Sequence, residues 1–545
     1  MNCHPFALDG LIVAKHLANL DALIIREDFE VKNDQQPPSQ LSTTMKVTDL
    51  EPESLQFQVM RKPDFQRETA NWTPDKVAEL VQSFLDGDLI PAVILWRAPD
   101  SGNIFVIDGA HRLSALIAWV HDDYGDKELS RQFYDNVIPP EQLEAAAATR
   151  KLIANKVGSY SEIKFAGQFP ERSQSHHVRR ARNLSAFAIQ LQWVVGDAKK
   201  AEQSFLRINQ KATPIDQTEL EMIISRSKPN AMASRAMLRA GVGHKYWSAF
   251  AGEVQLEIER LAREIYDVLF IPVIETPIKT LDLPVAGRGY SAESVKLIFD
   301  FVNLANGYVT DKKLLELKPD VDGGQTVAFL KQVRSLAFRI SGDHASSLGL
   351  HPAVYFYGAT GRYQPAAFLA AVRFIQKLEI SKGFQKFTAG RDRFEEFILS
   401  YRYLTNQIVR KYGSSMKSVE PLVTLYQVII DGISDKKAED EIVAAILEQP
   451  GLHALKVMDE EDLKYGKEFS RETKSKAFLR DAIQKALRCK ICNARIHKKS
   501  ISFDHIKRKE DGGTGDPDNA QMTHPYCNTG FKESQHAKEA AELRT

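Results

Sequence analysis

At roughly 100–200 residues per domain, a chain of 545 residues has room for about three domains. Its 72 Lys+Arg against 71 Asp+Glu leave a net charge of +1, which excludes a uniformly basic nucleic-acid coat and confines any such contact to a local patch. Hydrophobic residues at 43% exclude bulk disorder, and only four cysteines, three of them after Lys485, point to a metal site rather than a secreted disulfide scaffold.

No apolar run reaches the roughly twenty residues needed to cross a bilayer. The N-terminus lacks a basic region before its apolar run and carries Asp9 inside it. The expectation is a soluble, cytoplasmic protein in a reducing compartment, with no membrane partner.

Residues 1–31 read as one short amphipathic helix plus an extension. Residues 32–45 are polar and Pro-containing, so they read as a linker that closes an N-terminal extension, 1–45. From about Val47 to Trp119 the pattern is α/β. Thr73-Pro74 opens a helix with Pro in its first turn, and Gly87 ends it after Asp86. The runs 91–96 (PAVILW) and 104–107 are β-rich, and a second helix starts near Gly109 and runs through Trp119. Trp72, Trp96 and Trp119 read as core.

Residues 140–230 read as mostly helical. They hold a basic stretch, Arg172, His176, His177, Arg179, Arg180 and Arg182, which reads as a solvated face able to touch DNA. A second stretch runs from Phe205 to Lys211. Residues 231–470 show helix-period apolar patterns without a polar cluster that suggests chemistry. Their expected role is architectural or coupling. Residues 471–545 read as a separate module.

The segment Ile107-Asp108-Gly109-Ala110-His111-Arg112-Leu113 follows a β-run and opens a helix. Gly at such a turn allows close backbone approach, and the free N–H groups of the new helix, with Arg112, suit a phosphate. An ordinary strand-to-helix turn reads the same way. Upstream stand Phe65-Gln66-Arg67 and Trp72; downstream stand Arg207-Ile208-Asn209. Together these pieces, over about 55–225, resemble the ParB-like domain of GmrSD-type restriction enzymes and their Asp-Gly-Gln-His-Arg relatives. Ala110 replaces the family's first Gln. The resemblance implies nucleoside triphosphate binding or hydrolysis and, in several members, sensing of modified DNA. It implies a pocket lined by Gln66, Arg67, Asp108, Gly109, His111, Arg112, Arg207 and Asn209. The alternative for Arg67 and Arg207 is a buried ion pair with Asp64 or Asp108.

In the last module, Cys489-x-x-Cys492 and His524-x-x-Cys527 present two ligand pairs about thirty residues apart. Four such ligands suit tetrahedral Zn²⁺ with no open position, so the site would be structural. A module this small has little core, and bound zinc would supply folding free energy directly. His497 and His536 are the alternative fourth ligands.

Between the pairs lie Phe503-Asp504-His505-Ile506, Gly512-Gly513 and Asn519, and Asn528 follows Cys527. Over Cys489–Phe531 this order resembles the HNH endonuclease family, whose fold is a β-hairpin and helix around a catalytic metal. His524 stands where Cys is common in the family. The resemblance implies that His505 is the general base and that Asp504 and Asn528 hold one Mg²⁺ (or Mn²⁺). It implies that Asn519 braces the loop and orients His505, with 5′-phosphate and 3′-hydroxyl products. Between Lys485 and Glu510 there are nine Lys/Arg against two acids, the local patch that a neutral chain needs to meet DNA. Lys498, Lys499, Lys507, Arg508 and Lys509 are its candidate contacts.

The expected fold class is therefore multidomain α+β. After 1–45 come a ParB-like α/β domain (46–230), a helical domain (231–470) and a ββα-metal zinc module (471–545). The expected function is a metal-dependent DNA endonuclease in restriction or anti-phage defence. The alternatives are a DNA-binding regulator with a non-catalytic zinc module, or an RNA nuclease. One such site cuts one strand, so double-strand breaks call for a homo-oligomer or two events.

Overall fold

Thr73 accepts the backbone N–H of Lys76 at 3.4 Å and Pro74 follows it, so the helix Pro74–Asp86 starts at a capped end. It stops at Gly87, whose φ of 84° is open to glycine at little cost. These boundaries are those the sequence predicts. The computed structural model describes residues 17–29, 41–66, 72–211, 217–289, 292–457 and 467–535, without the side chains of 209–211, 292, 293 and 311. The chain divides into two compact units, 1–226 with 242–246, and 227–241 with 247–545.

The first unit is built on a six-stranded sheet. Its strands are β1 (Arg26–Glu27), β2 (Thr44–Met45), β3 (Met60–Pro63), β4 (Val93–Arg97), β5 (Ile104–Asp108) and β6 (Ile189–Trp193). Their order across the sheet is β1-β3-β5-β4-β6-β2. The β1–β3, β3–β5 and β4–β6 pairs are parallel, while β4–β5 and β2–β6 are antiparallel. Both faces are covered, and the pleat sorts the side chains. Val93, Leu95 and Val106 pack with Val77, Val81, Leu85, Leu113 and Leu116 of the helices Pro74–Asp86 and Ala110–His121. Trp96, Phe105 and Ile107 face the other way, onto Phe65 and Phe205.

The stretch 140–230 is mostly helical, as the sequence predicts, but Ile189–Trp193 within it alternates buried and exposed residues and joins the sheet as β6. The described part of 1–31, residues 17–29, holds a 3₁₀ turn, Asp21–Leu23, followed by β1; the rest of the stretch expected to hold a helix lies outside the described residues. The end of the expected linker forms β2, paired with β6. Residues 1–16 and 30–40 lie outside the described residues.

The second unit is helical, with long helices Gly252–Phe270, Gly324–Ile340, Pro365–Ile380 and Val419–Ser434. It includes the C-terminal hairpin β7 (Ser502–His505) and β8 (Ala520–Thr523), followed by a helix over 525–535 whose Cys527–Phe531 stretch is π-wound. The helical segment and the C-terminal segment thus share one compact unit. Among the described residues, no helix is long and apolar enough to cross a membrane.

Candidate active site

The turn at Cys489 is built for a metal. The N–H of Ile491 points at Cys489 Sγ at 3.4 Å, and Asn493, with φ 55°, closes the loop back onto the Cys489 carbonyl. Ligand atoms of Cys489, Cys492, His524 and Cys527 lie within 4.8 Å of one another, and all four residues are buried. His524 Nε2 meets the Arg495 carbonyl at 3.0 Å. An imidazole that donates from Nε2 keeps Nδ1 unprotonated, and Nδ1 stands 3.4 Å from Cys492 Sγ and 3.7 Å from Cys527 Sγ. The neighbouring sulfurs and burial push the thiols of Cys492 and Cys527 up, whereas the S–H groups around Cys489 pull it down. Three thiolates side by side need a cation, and the donor set suits Zn²⁺. His497 is not part of the cluster. Its Nε2 lies 3.3 Å from Asp282 Oδ1 and its ring 5.6 Å from that of His351. His536 lies outside the described residues.

The hairpin carries the rest. In the β7–β8 register Asp504 faces Gln521 and His505 faces Ala520. Asp504 is 6% exposed. Its carboxylate accepts from Gln521 Nε2 at 2.7 Å and from Lys532 Nζ at 2.9 and 2.7 Å. Lys532 also donates to the His505 carbonyl at 2.9 Å. The His505 ring is half-buried and has no hydrogen-bond partner among the described residues. Asn528 donates from Nδ2 to Ser502 Oγ at 3.0 Å and to the Phe503 carbonyl at 3.1 Å. A carbonyl can only accept, so the amide nitrogen must face the strand and Oδ1 turns away from it. The Asp504 carboxylate, already holding a cationic group, and the Asn528 amide oxygen are hard donors of the kind Mg²⁺ takes.

Asn519 acts on the loop between the strands. Its Oδ1 accepts the Lys507 N–H at 2.7 Å, and its Nδ2 donates to the carbonyls of Lys507 at 3.1 Å and Thr514 at 2.7 Å. The loop closes on itself so tightly at Gly513 that a Cβ there would overlap the Lys507 carbonyl oxygen.

The basic patch divides. Lys499 donates to the Asp267 carbonyl at 2.5 Å, and burial holds its ammonium below the usual lysine range. Lys498 pairs with Asp282 at 3.1 Å, and Arg508 with Glu533 at 2.8 Å. Lys507 and Lys509 are exposed, with no side-chain partner among the described residues. Of the five candidate contacts, the cations with no such commitment therefore lie on the loop that Asn519 clamps.

Sequence reasoning passed over Lys532, Gln521 and a polar network in the helical segment. Glu395 is fully buried, takes Arg391 Nε at 3.0 Å and Tyr355 Oη at 3.1 Å, and accepts the Arg495 N–H at 2.9 Å. Arg391 also donates to the carbonyls of Leu348 and Gly349. Arg391 and Glu395 are four apart, a spacing visible in the sequence. Their burial is not.

In the first unit, Asp108 ends β5 and Gly109, with φ 94°, starts the next helix. A Cβ on Gly109 would stand 2.9 Å from Val93 Cγ2 and 3.0 Å from Arg112 Nη2. Arg112 folds back onto Asp108 at 2.6 Å and the Pro91 carbonyl at 3.0 Å. His111 stacks on Trp72, 5.6 Å between centroids, whereas Trp96 and Trp119 are core. Gln66 is buried, and its Oε1 has no hydrogen-bond partner among the described residues. The Phe65–Phe205 ring contact, 5.1 Å, brings the helix Ala198–Lys211 alongside the Phe-Gln segment. Arg207 is exposed on that helix. Arg67 and the Asn209 side chain lie outside the described residues. Asp64 meets Arg226 at 3.3 Å. Of the basic stretch, Arg180 is buried and donates to the carbonyls of Lys156 and Val157, while Arg172, His176, Arg179 and Arg182 are exposed.

The family model for the GmrSD restriction endonuclease, N-terminal domain, matches residues 50–222, and that for HNH endonuclease matches residues 489–532. The chain joins a GmrSD-type N-terminal domain to an HNH endonuclease domain. No curated protein and no solved structure matches it. The GmrSD-type match takes in all of β3–β6, and the HNH match takes in both ligand pairs, the hairpin and Lys532. Both matched models are endonuclease models, the N-terminal one of a restriction endonuclease.

Proposed function

We propose that the chain is a metal-dependent DNA endonuclease of cytoplasmic anti-phage defence, with its chemistry at His505. The observation that carries this reading is the placement of Asp504, His505 and Asn528 around one strand, beside a Cys₃His cluster that closes the same small module.

The His505 ring has no competing partner, so an imidazole nitrogen can take the proton of a water attacking the phosphorus. As the new P–O bond forms, the bond to the 3′ oxygen breaks, leaving a 5′-phosphate and a 3′-hydroxyl. Asp504 and Asn528 would hold Mg²⁺, which supplies charge stabilisation to the phosphate and the leaving oxygen. Asn519 holds the loop that presents Lys507 and Lys509 toward the DNA backbone. The GmrSD-type domain would bind a nucleoside triphosphate or a modified base at the Asp108–Arg112 turn. Phosphate binding there competes with Asp108 for Arg112.

Plasmid nicking with Mg²⁺ or Mn²⁺, with and without nucleoside triphosphates, tests this. Wild type should nick, and His505→Ala should lose at least about a hundred-fold in rate, the usual worth of a positioned base, while still binding DNA. Equal rates in the two proteins would remove His505 from the chemistry. Binding without cleavage in either, on modified and unmodified DNA alike, favours the regulator. Preferential cleavage of RNA favours the RNA nuclease.

A further inference from the structure

The Lys532 ammonium sits where a cation at Asp504 belongs. It reaches both carboxylate oxygens, at 2.9 and 2.7 Å, and the His505 carbonyl, at 2.9 Å. All three are oxygen acceptors of the kind a hard divalent ion takes. The pair is sheltered, with side-chain exposures of 15% for Lys532 and 7% for Asp504, so solvent screens it weakly. Lys532 also stands on the helix 525–535, one turn after Asn528, while Asp504 is on β7. The ion pair therefore ties together the two elements that carry the proposed metal ligands.

We propose that Lys532 is a built-in competitor for the catalytic metal. With no metal bound, its ammonium neutralises Asp504 and holds strand to helix. A divalent ion can take the carboxylate only by displacing that ammonium. Gln521 keeps its hydrogen bond to Asp504 Oδ2 throughout and fixes the carboxylate plane. The competition weakens metal binding, and the displaced lysine becomes a free cation beside the substrate phosphate. The site would thus load when metal and DNA arrive together, because the phosphate offers the released ammonium a new partner. This inference rests on the reading of Asp504 as a metal ligand.

The test is Mn²⁺ affinity of the full-length, zinc-loaded protein by calorimetry, without DNA, in wild type, Lys532→Met, Lys532→Arg and Asp504→Asn. Removing a cation in direct contact with the carboxylate should tighten Mn²⁺ binding in Lys532→Met by about ten-fold or more. Lys532→Arg keeps the charge and should bind Mn²⁺ within about three-fold of wild type, well short of one pKa unit of interaction. Unchanged or weaker binding in Lys532→Met, with Asp504→Asn abolishing it, overturns the competitor role alone. Wild-type binding by Asp504→Asn overturns the metal-ligand reading beneath it. If Lys532→Met melts early, Lys532→Gln takes its place in the same titration, with the same tightening expected, and unchanged Mn²⁺ binding there overturns the proposal.

Discussion

The carboxylate of Glu395 accepts the backbone N–H of Arg495 at 2.9 Å from a fully buried position. Arg495 follows the Cys489–Cys492 turn by three residues and offers its own carbonyl to His524 of the Cys₃His cluster. The helical segment thus holds the metal turn through one hydrogen-bonded relay, Arg391–Glu395–Arg495–His524.

Breaking that relay should be costly. Arg391→Met leaves the buried Glu395 carboxylate with only the more distant Arg495 guanidinium, 3.8 Å away, so the loss should approach the about 3–5 kcal/mol of a fully broken buried pair. The double variant Arg391→Met/Glu395→Leu should regain part of it, since apolar replacement of both partners is far cheaper. Denaturant unfolding of the second unit measures both. A single variant as stable as wild type would show that the pair contributes nothing.

Zinc removal should unfold the module rather than merely silence it. Few apolar side chains fill this region, and Cys489, Cys492 and Cys527 are themselves part of its core with Ala494 and Ile496. Cys492→Ser should bring bound zinc from one ion to none by elemental analysis, and expose 489–535 to protease. Retained protease resistance without zinc would mean the helical segment alone holds the hairpin.

Gly109→Ala tests the strand-to-helix turn of the GmrSD-type domain. An L-residue at φ 94° pays about 1–2 kcal/mol in backbone strain, and the new methyl presses on Val93 and Arg112. The expected outcome is a lower melting temperature together with weaker nucleotide binding, read by thermal shift with and without ligand. A stable Gly109→Ala protein would rule out strain at this turn.

Asp282 carries a pH signature. The His497 ring and the Lys498 ammonium hold its carboxyl down at about 2, against an ordinary 3.8. A depressed carboxylate stabilises the fold above the unfolded value and loses that contribution as pH falls toward 2. Wild type should therefore lose stability between about pH 4 and pH 2 faster than Asp282→Asn, in acid titrations followed by circular dichroism. Parallel curves would exclude the contribution.

Local patterns were legible where chemistry is local. Thr73-Pro74 and Gly87 mark a helix because caps act within one turn, and the Cys-x-x-Cys and His-x-x-Cys pairs mark a metal turn because four ligands need fixed spacing. β6 was not legible within a helical stretch. Its five residues gain stability from β4 and β2, about one hundred and one hundred and fifty residues away, rather than from their own propensity. The same holds for β1 and β2, two residues each.

Composition, spacing and motif order determined that this chain ends in a zinc-type HNH module and begins with a GmrSD-type domain, because those signals are written in residues a few positions apart. Tertiary structure alone decided which cations remain uncommitted, that His497 faces Asp282 instead of the sulfurs, that Glu395 is buried beneath the metal turn, and that Lys532 occupies Asp504. Those outcomes depend on which distant side chains share a low-dielectric interior, and a pairwise energy of that kind exists only once the chain has folded.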